Sequence, residues 1–372
     1  MKTKWLCAAS LLLAPVSAMA VDYSWNGFMS LAGGKVLSGS VQGDNELGEN
    51  CPCMITDYSQ NGVLTNSWGF DDSKIGLQGT AKFNDQWSVT GQIVSRGSRD
   101  FKVNLEWVYA SWQIDDNDVL QLGRKRIPLF YFSEQQDIGF TYPWVHLPPQ
   151  TYGWEAVNYN GANWNHQWTK GDWSGIVNTF AGTETRTDND YQKIYLDPNQ
   201  EHGTRWDKIF GAEFIATKDW FEGRLMMMRS DNSSREPGED WSEPTEQIIF
   251  GASAQADFGS WYTNAELFFS DRTESYGRDL AYSVLVGKRI GDVTIAMNHG
   301  LYQQKINENN PFELTEDDAE IHRMTSLIGR YEVDESSAIK IQFDDWQDHS
   351  GTWFKSNYGD ARSISFSYDR VF

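Results

Sequence analysis

The sequence has no run of some 20 apolar residues, and its mean hydropathy is −0.57, so a bundle of membrane-spanning helices is excluded. Cations are also scarce. The 31 Lys and Arg stand against 52 Asp and Glu, a net charge of −21. A nucleic-acid binder needs cationic surface to replace phosphate counterions, and this chain has the opposite balance. Nucleophile chemistry is unsupported too: Gly-x-Ser-x-Gly does not occur. The six histidines, His146, His166, His202, His299, His322 and His349, belong to no nucleophile motif, and His349-Ser350 is a loop adjacency. What the chain has in excess is aromatic residues, with 17 Trp, 16 Tyr and 20 Phe, beside 32 Gly and only 10 Pro. A polar, aromatic-rich, Gly-rich chain without long apolar runs has the composition of a membrane β-barrel.

Residues 1–20 read as a signal peptide. Lys2 and Lys4 form a positive start, Trp5–Ala14 an apolar stretch too short to span a bilayer, and Ala18-Met19-Ala20 a cleavage site. The expected mature domain is 21–372, exported, with a net charge near −23 once those two lysines are removed. Of three cysteines, Cys7 lies in the leader. Cys51 and Cys53 flank Pro52, where an oxidising compartment permits a disulfide, and no further His or Cys lies nearby in sequence to complete a metal site.

From Val21 onward, apolar residues recur at every second position in blocks of about ten. Ile248, Phe250, Ala252, Ala254, Ala256 and Phe258 form one face, opposite Gln247, Ser253, Gln255 and Asp257. Ile75, Leu77, Gly79, Ala81 and Phe83 repeat the pattern, as do Val103, Leu105, Trp107 and Tyr109. Alternation gives each strand one apolar and one polar face. About sixteen blocks are joined by short turns such as Asn84–Gln86 and Asp257–Ser260, alternating with long connections such as Ala32–Asp71 and Arg126–Trp154. The fold class expected is an all-β, antiparallel, up-and-down transmembrane barrel of about 16 strands. Aromatic residues bracket the short turns, as with Phe83 and Trp87 or Phe258 and Trp261, where headgroups satisfy both ring and polar edge. Sixteen strands enclose an aqueous channel, whereas eight are filled by side chains.

Asp72-Ser73-Lys74-Ile75-Gly76-Leu77-Gln78-Gly79 resembles the second-strand motif of Gram-negative general porins, sixteen-stranded and trimeric. Leu122-Gly123-Arg124 resembles their fifth strand, where Gly-Arg leads into the third long loop, and the terminal Phe372 with the alternation behind it resembles their assembly signal, although Arg370 stands where that signal has an apolar residue. The resemblance implies a third loop, Ile127–Gly153, folded into the barrel, with Glu134 and Asp137 facing a basic wall. Lys74 and Arg124 are the matched cations, and Lys82, Lys102 and Arg126 follow by parity or proximity. The family's other basic positions fall at Phe28 and Asn165, so the cationic cluster is thin. It further implies an outer-membrane location, a homotrimer, contact with outer-membrane lipid and lipopolysaccharide, and passive passage of ions and small hydrophilic solutes. No cofactor, metal, nucleic acid or turnover is implied.

Acidic runs in two other loops, Glu236, Glu239, Asp240 and Glu243, then Glu313, Glu316, Asp317, Asp318 and Glu320, favour mild cation selectivity. An alternative is a substrate-specific channel for a solute such as an oligosaccharide, because Phe130, Tyr131, Phe132, Phe140, Tyr142 and Trp144 make the third loop unusually aromatic. An adhesin or phage receptor with a plugged lumen is another, and it would carry no current.

Overall fold

The computed structural model describes residues 21–45, 47–196, 198–272, 274–351 and 358–372. The signal-peptide expectation at 1–20 therefore falls outside the described residues. Sixteen barrel strands follow in order: β1 Asp22–Gly39, β2 Lys74–Lys82, β3 Trp87–Arg96, β4 Val103–Gln113, β5 Asp118–Arg126, β6 Asn158–Lys170, β7 Trp173–Arg186 and β8 Gly203–Lys218. The second half comprises β9 Phe221–Arg235, β10 Thr245–Asp257, β11 Trp261–Arg272, β12 Gly277–Ile290, β13 Val293–Ile306, β14 Ile321–Asp334, β15 Ser337–Asp348 and β16 Ala361–Val371. Each is antiparallel to its neighbours, and β1 pairs with β16 to close the barrel. At that seam Gly27 N donates to Phe372 O at 2.7 Å and Phe372 N to Gly27 O at 2.9 Å.

Alternation sets the two faces. On β12, Leu280, Val284 and Val286 point outward and are exposed, while Asp279, Ala281 and Ser283 point inward and are buried. The same inversion holds on β15, where Ile339, Ile341 and Phe343 are exposed and Lys340, Gln342 and Asp344 buried. An apolar outer wall is the face a bilayer covers, and closure leaves no strand edge unpaired in lipid. Rings gather at the short-turn rim: Trp87 stacks on Trp112 with centroids 5.7 Å apart, and Trp220 on Phe258 at 5.1 Å.

Two local readings of the sequence are corrected. β1 continues past Ala32 to Gly39, because Gly33 and Gly34 break the apolar alternation without breaking the ladder. Beyond Ser30 its other edge is taken by the returning first loop, through paired Gly34–Gly69 backbone bonds of 3.0 Å. On β4 the register slips at Glu106, so that Gln92 faces Trp107 and Ile93 faces Leu105. One extra residue in a strand flips every side chain beyond it. Trp107 and Tyr109 therefore share the inward face of Gln92 and Thr90, and Val108 and Trp112 take over the outer one.

The long loops fold over the interior. The first carries a small hairpin, Met54–Asp57 with Gly62–Leu64, and the Cys51–Cys53 disulfide. Its Ile55 and Tyr58 pack with Ile194 of a later loop and Trp346 of β15. Beneath it lies the third long loop.

Candidate functional site

Residues 127–157 leave β5 and return to β6 through irregular backbone, with short helical turns at Ser133–Gln135, Gly139–Thr141 and Pro149–Tyr152. Irregular backbone at membrane depth must find its hydrogen-bond partners within the protein. Inward side chains of the far wall supply them. Arg224 of β9 donates to the Pro128 carbonyl, Arg330 of β14 to Phe140 O at 2.7 Å and Tyr142 O at 3.0 Å, and Lys340 of β15 to Gly139 O at 2.6 Å and Trp144 O at 2.7 Å. Glu266 of β11 accepts from Tyr131 N at 2.8 Å and from the Tyr152 hydroxyl. The segment thus lies on the lumen side of the wall. Its rings join an apolar cluster with inward Met226, Met228 and Phe268, the Phe130 and Phe268 centroids being 5.2 Å apart. Of the six loop aromatics singled out in the sequence, Phe130, Phe132, Tyr142 and Trp144 are buried wedges, and only Tyr131 and Phe140 stay half-buried beside open space.

The charged residues divide into two sets. Asp137 lies between two guanidiniums, with Arg96 at 2.9 and 2.7 Å and Arg126 at 2.7 Å. Glu106 bridges the same pair, at 2.7 Å to Arg96 and 3.1 Å to Arg126, and all four are buried. Burial pushes the Asp137 carboxyl up, but Arg96, Arg126 and Lys74 outweigh it and hold it far below the ordinary carboxylate range. Lys74 reaches Gln136 O at 2.9 Å and the Tyr142 hydroxyl at 3.1 Å. These contacts fasten the loop to the wall it sprang from.

His146, further along the loop, sits 3.5 Å from Asp72 of the first loop and 3.2 Å from Asp344 of β15. Burial opposes its protonation, yet hydrogen bonds and charge from Asp344 and Asp72 raise its pKa to about 10. One imidazolium therefore ties two loops and the wall.

Lys74, Arg126 and Asp137 come together where the third loop leaves the wall. Glu134 does not join them; it is half-exposed, 3.9 Å from Lys125. Arg124 is engaged elsewhere, in a two-pronged pair with Glu184 at 2.8 and 2.9 Å. Lys82 lies at the opposite end of β2, bonded to Asp85 of a short turn at 2.9 Å, and Lys102 lies at the loop rim with Asp100 at 3.5 Å. Neither is near the third loop. Phe28 packs its ring over Gly76, and Asn165 bonds Asn163 at 2.8 Å. Glu320 is not a solvated mouth acid: it is buried, accepting from Tyr195 at 2.9 Å and meeting His322 at 2.6 Å. Arg96, Arg224, Arg330 and Lys340 escaped the sequence reading. Parity with the inward Gln92 and Val94 was the available signal for Arg96.

Between the loop and strands β8 to β14 lies a cavity of about 500 Å³. Glu134, Glu213, Glu222 and Glu332 line it, against Arg224, Arg289 and Arg330. Arg330 pairs with Glu332 at 2.6 Å and Arg289 with Asp257 at 2.8 Å, so these charges are matched locally but remain in contact with the open space.

No protein-family model matches the chain, and no curated protein does. Solved structures do. The outer membrane channel DcaP of Acinetobacter baumannii aligns with a TM-score of 0.60 at 10% identity, over 96% of this chain and 99% of its own. An anion-selective porin from Comamonas acidovorans gives 0.56 at 10% identity, over 95% and 100%. The trimer form of OmpT, an outer membrane protein of Vibrio cholerae, gives 0.55 at 8% identity, over 95% and 100%. At such identities the shared property is the fold.

Proposed function

We propose that this chain is an outer-membrane porin, an aqueous channel for ions and small hydrophilic solutes without turnover or cofactor. The observation that carries the reading is the charge-lined cavity left open inside a barrel whose outer wall is apolar. Export by the leader at 1–20 and assembly as a homotrimer belong to the same reading; the Vibrio cholerae neighbour is a trimer. Four carboxylates against three guanidiniums around the cavity favour cations mildly. The exposed Glu236, Glu239, Asp240 and Glu243 at the loop rim add to this by concentrating cations near the mouth. Constriction falls to Glu134 on the loop and the arginines opposite, with Asp137, Lys74 and Arg126 as anchors of the loop.

Planar-bilayer recording tests this. Stepwise conductance that rises linearly with salt, and a reversal potential of cationic sign in a salt gradient, are expected. No conductance, as in a plugged receptor barrel, overturns it. Rings of Tyr131, Phe140 and Tyr262 on the cavity favour a second reading, a channel for a sugar-like solute. Saturable current block by an oligosaccharide distinguishes it.

A further inference from the structure

Access to the interior differs between the two ends of the barrel. The walls of the cavity carry Glu222, Gln255, Tyr262, Arg289, Thr294 and Glu332, all at the short-turn ends of their strands. At the loop ends, the inward side chains Trp206, Ile249, Ser270, Met324, Trp346 and Ser363 are buried instead. A water-filled mouth of sixteen strands would wet such a ring of positions. Here loops cover it, and residues 144–152 of the third loop form an unbroken buried stretch.

The third loop is fastened unevenly. Val145 N donates to Gln342 of the wall at 2.8 Å, and His146 lies 3.2 Å from Asp344. Beyond them the wall holds residues 147–155 through Glu266 on the Tyr152 hydroxyl and Trp206 on Glu155 at 3.2 Å. Two other loops clamp the same residues. Ser59 of the first loop donates to Tyr152 O at 3.5 Å and accepts from Trp154 N at 3.3 Å. Asn189 and Gln192, from the loop between β7 and β8, each donate to Glu155 at 2.9 Å. That loop, with its helical turn Asp190–Tyr195, is anchored by the Arg99–Asp190 ion pair and by Tyr195 on Glu320 at 2.9 Å. Inside the clamp, both amide atoms of Gln150, the Thr151 hydroxyl and the Trp154 indole N–H are buried with no hydrogen-bond partner in the protein. Unmade buried hydrogen bonds raise the energy of the state that contains them, so this packing is poised against a wetter one.

We propose that residues 147–155 are a gate, held shut in this state by the first loop and the loop between β7 and β8. The barrel conducts when that clamp releases and the stretch moves aside into water, joining the loop-side mouth to the cavity below. The outgoing limb of the third loop stays in place, because moving Asp137 from Arg96 and Arg126 would strip buried charges of their partners. Opening is therefore local, confined to the limb with the fewest satisfied groups. The inference rests on the channel reading and adds a closed state to it.

The test is planar-bilayer recording of the purified full chain and three variants at one fixed low voltage. R99D sets two carboxylates against each other at the clamp and is expected to raise the mean current about tenfold or more. The charge exchange R99D/D190R restores the pair and is expected to return the current to that of the unmodified chain. Q150M/T151V removes orphaned polar groups at nearly constant volume, so it is expected to lower the current and raise the thermal unfolding midpoint together. Equal currents in R99D and the unmodified chain overturn the gate and leave the porin reading standing. A higher midpoint in Q150M/T151V with unchanged current also overturns the gate, because it reduces those groups to a packing defect. If R99D yields no barrel, Q150M/T151V decides alone. Absence of current in every form overturns the porin reading, and the gate with it.

Discussion

The two sides of the barrel interior use similar residues for opposite ends. Towards β2–β5, Arg96, Arg126, Glu106 and Asp137 are buried and satisfy one another. Towards β8–β14, Arg289, Arg330, Glu222 and Glu332 border open space with Glu134 of the loop, while the Arg224–Glu213 pair on the same side is itself buried. Buried ion pairs punish the loss of one partner, because the survivor is left uncompensated, whereas charges in contact with water are screened and exchange partners cheaply. Of the charged residues that resemble an eyelet in sequence, Asp137 and Arg126 are paired and buried and Lys74 is bonded to the loop. Those that border the cavity were mostly silent in the sequence.

This contrast can be broken on either side. The largest effect is expected on the sealed side: Asp137→Ala leaves two buried guanidiniums sharing Glu106 and costs about 3–5 kcal/mol. Thermal unfolding of the purified barrel measures that cost, and single-channel conductance is expected to rise as the loop loosens. Next comes the His146 tie. Its folded pKa of about 10 lies above the ordinary 6.5, so its stabilising contribution is complete below about pH 6.5 and is lost as pH rises through 10. The unfolding midpoint of the unmodified chain should therefore fall between pH 8 and 11 more steeply than that of His146→Gln. On the open side, Glu134→Lys is expected to change stability by only about 0.5 kcal/mol or less, yet to move the reversal potential towards anions. Smallest of all, Lys82→Gln and Lys102→Gln should leave conductance, selectivity and unfolding unchanged, because each pairs only with a nearby exposed acid.

Barrel architecture was legible because alternation repeats in every strand, and a single rule read sixteen times averages out local exceptions. Where one residue decides, the rule failed. The bulge at Glu106 leaves no mark in hydropathy, yet it turns Trp107 and Tyr109 inward. At β1, two adjacent glycines hid a strand that backbone pairing sustains. At the site, Lys74, Arg126 and Asp137 were found because motif and proximity brought them near the third loop. Arg224, Arg330 and Lys340 were missed because they come from strands distant in sequence and matter only once the loop lies across them. Which carboxylate each cation meets depends on three-dimensional register, as Arg124 and Glu184 illustrate.

The seam joining the first and last strands has a kinetic consequence. Every other barrel pairing joins segments adjacent along the chain and can zip progressively, but this one waits for β16 to arrive. Until then the sheet is an open ribbon with two unsatisfied margins, a state that invites mispairing with other unfinished chains. Loss of a few residues from β16 should therefore lower the yield of finished barrels far more than an equal loss from any loop, with those that do close behaving normally.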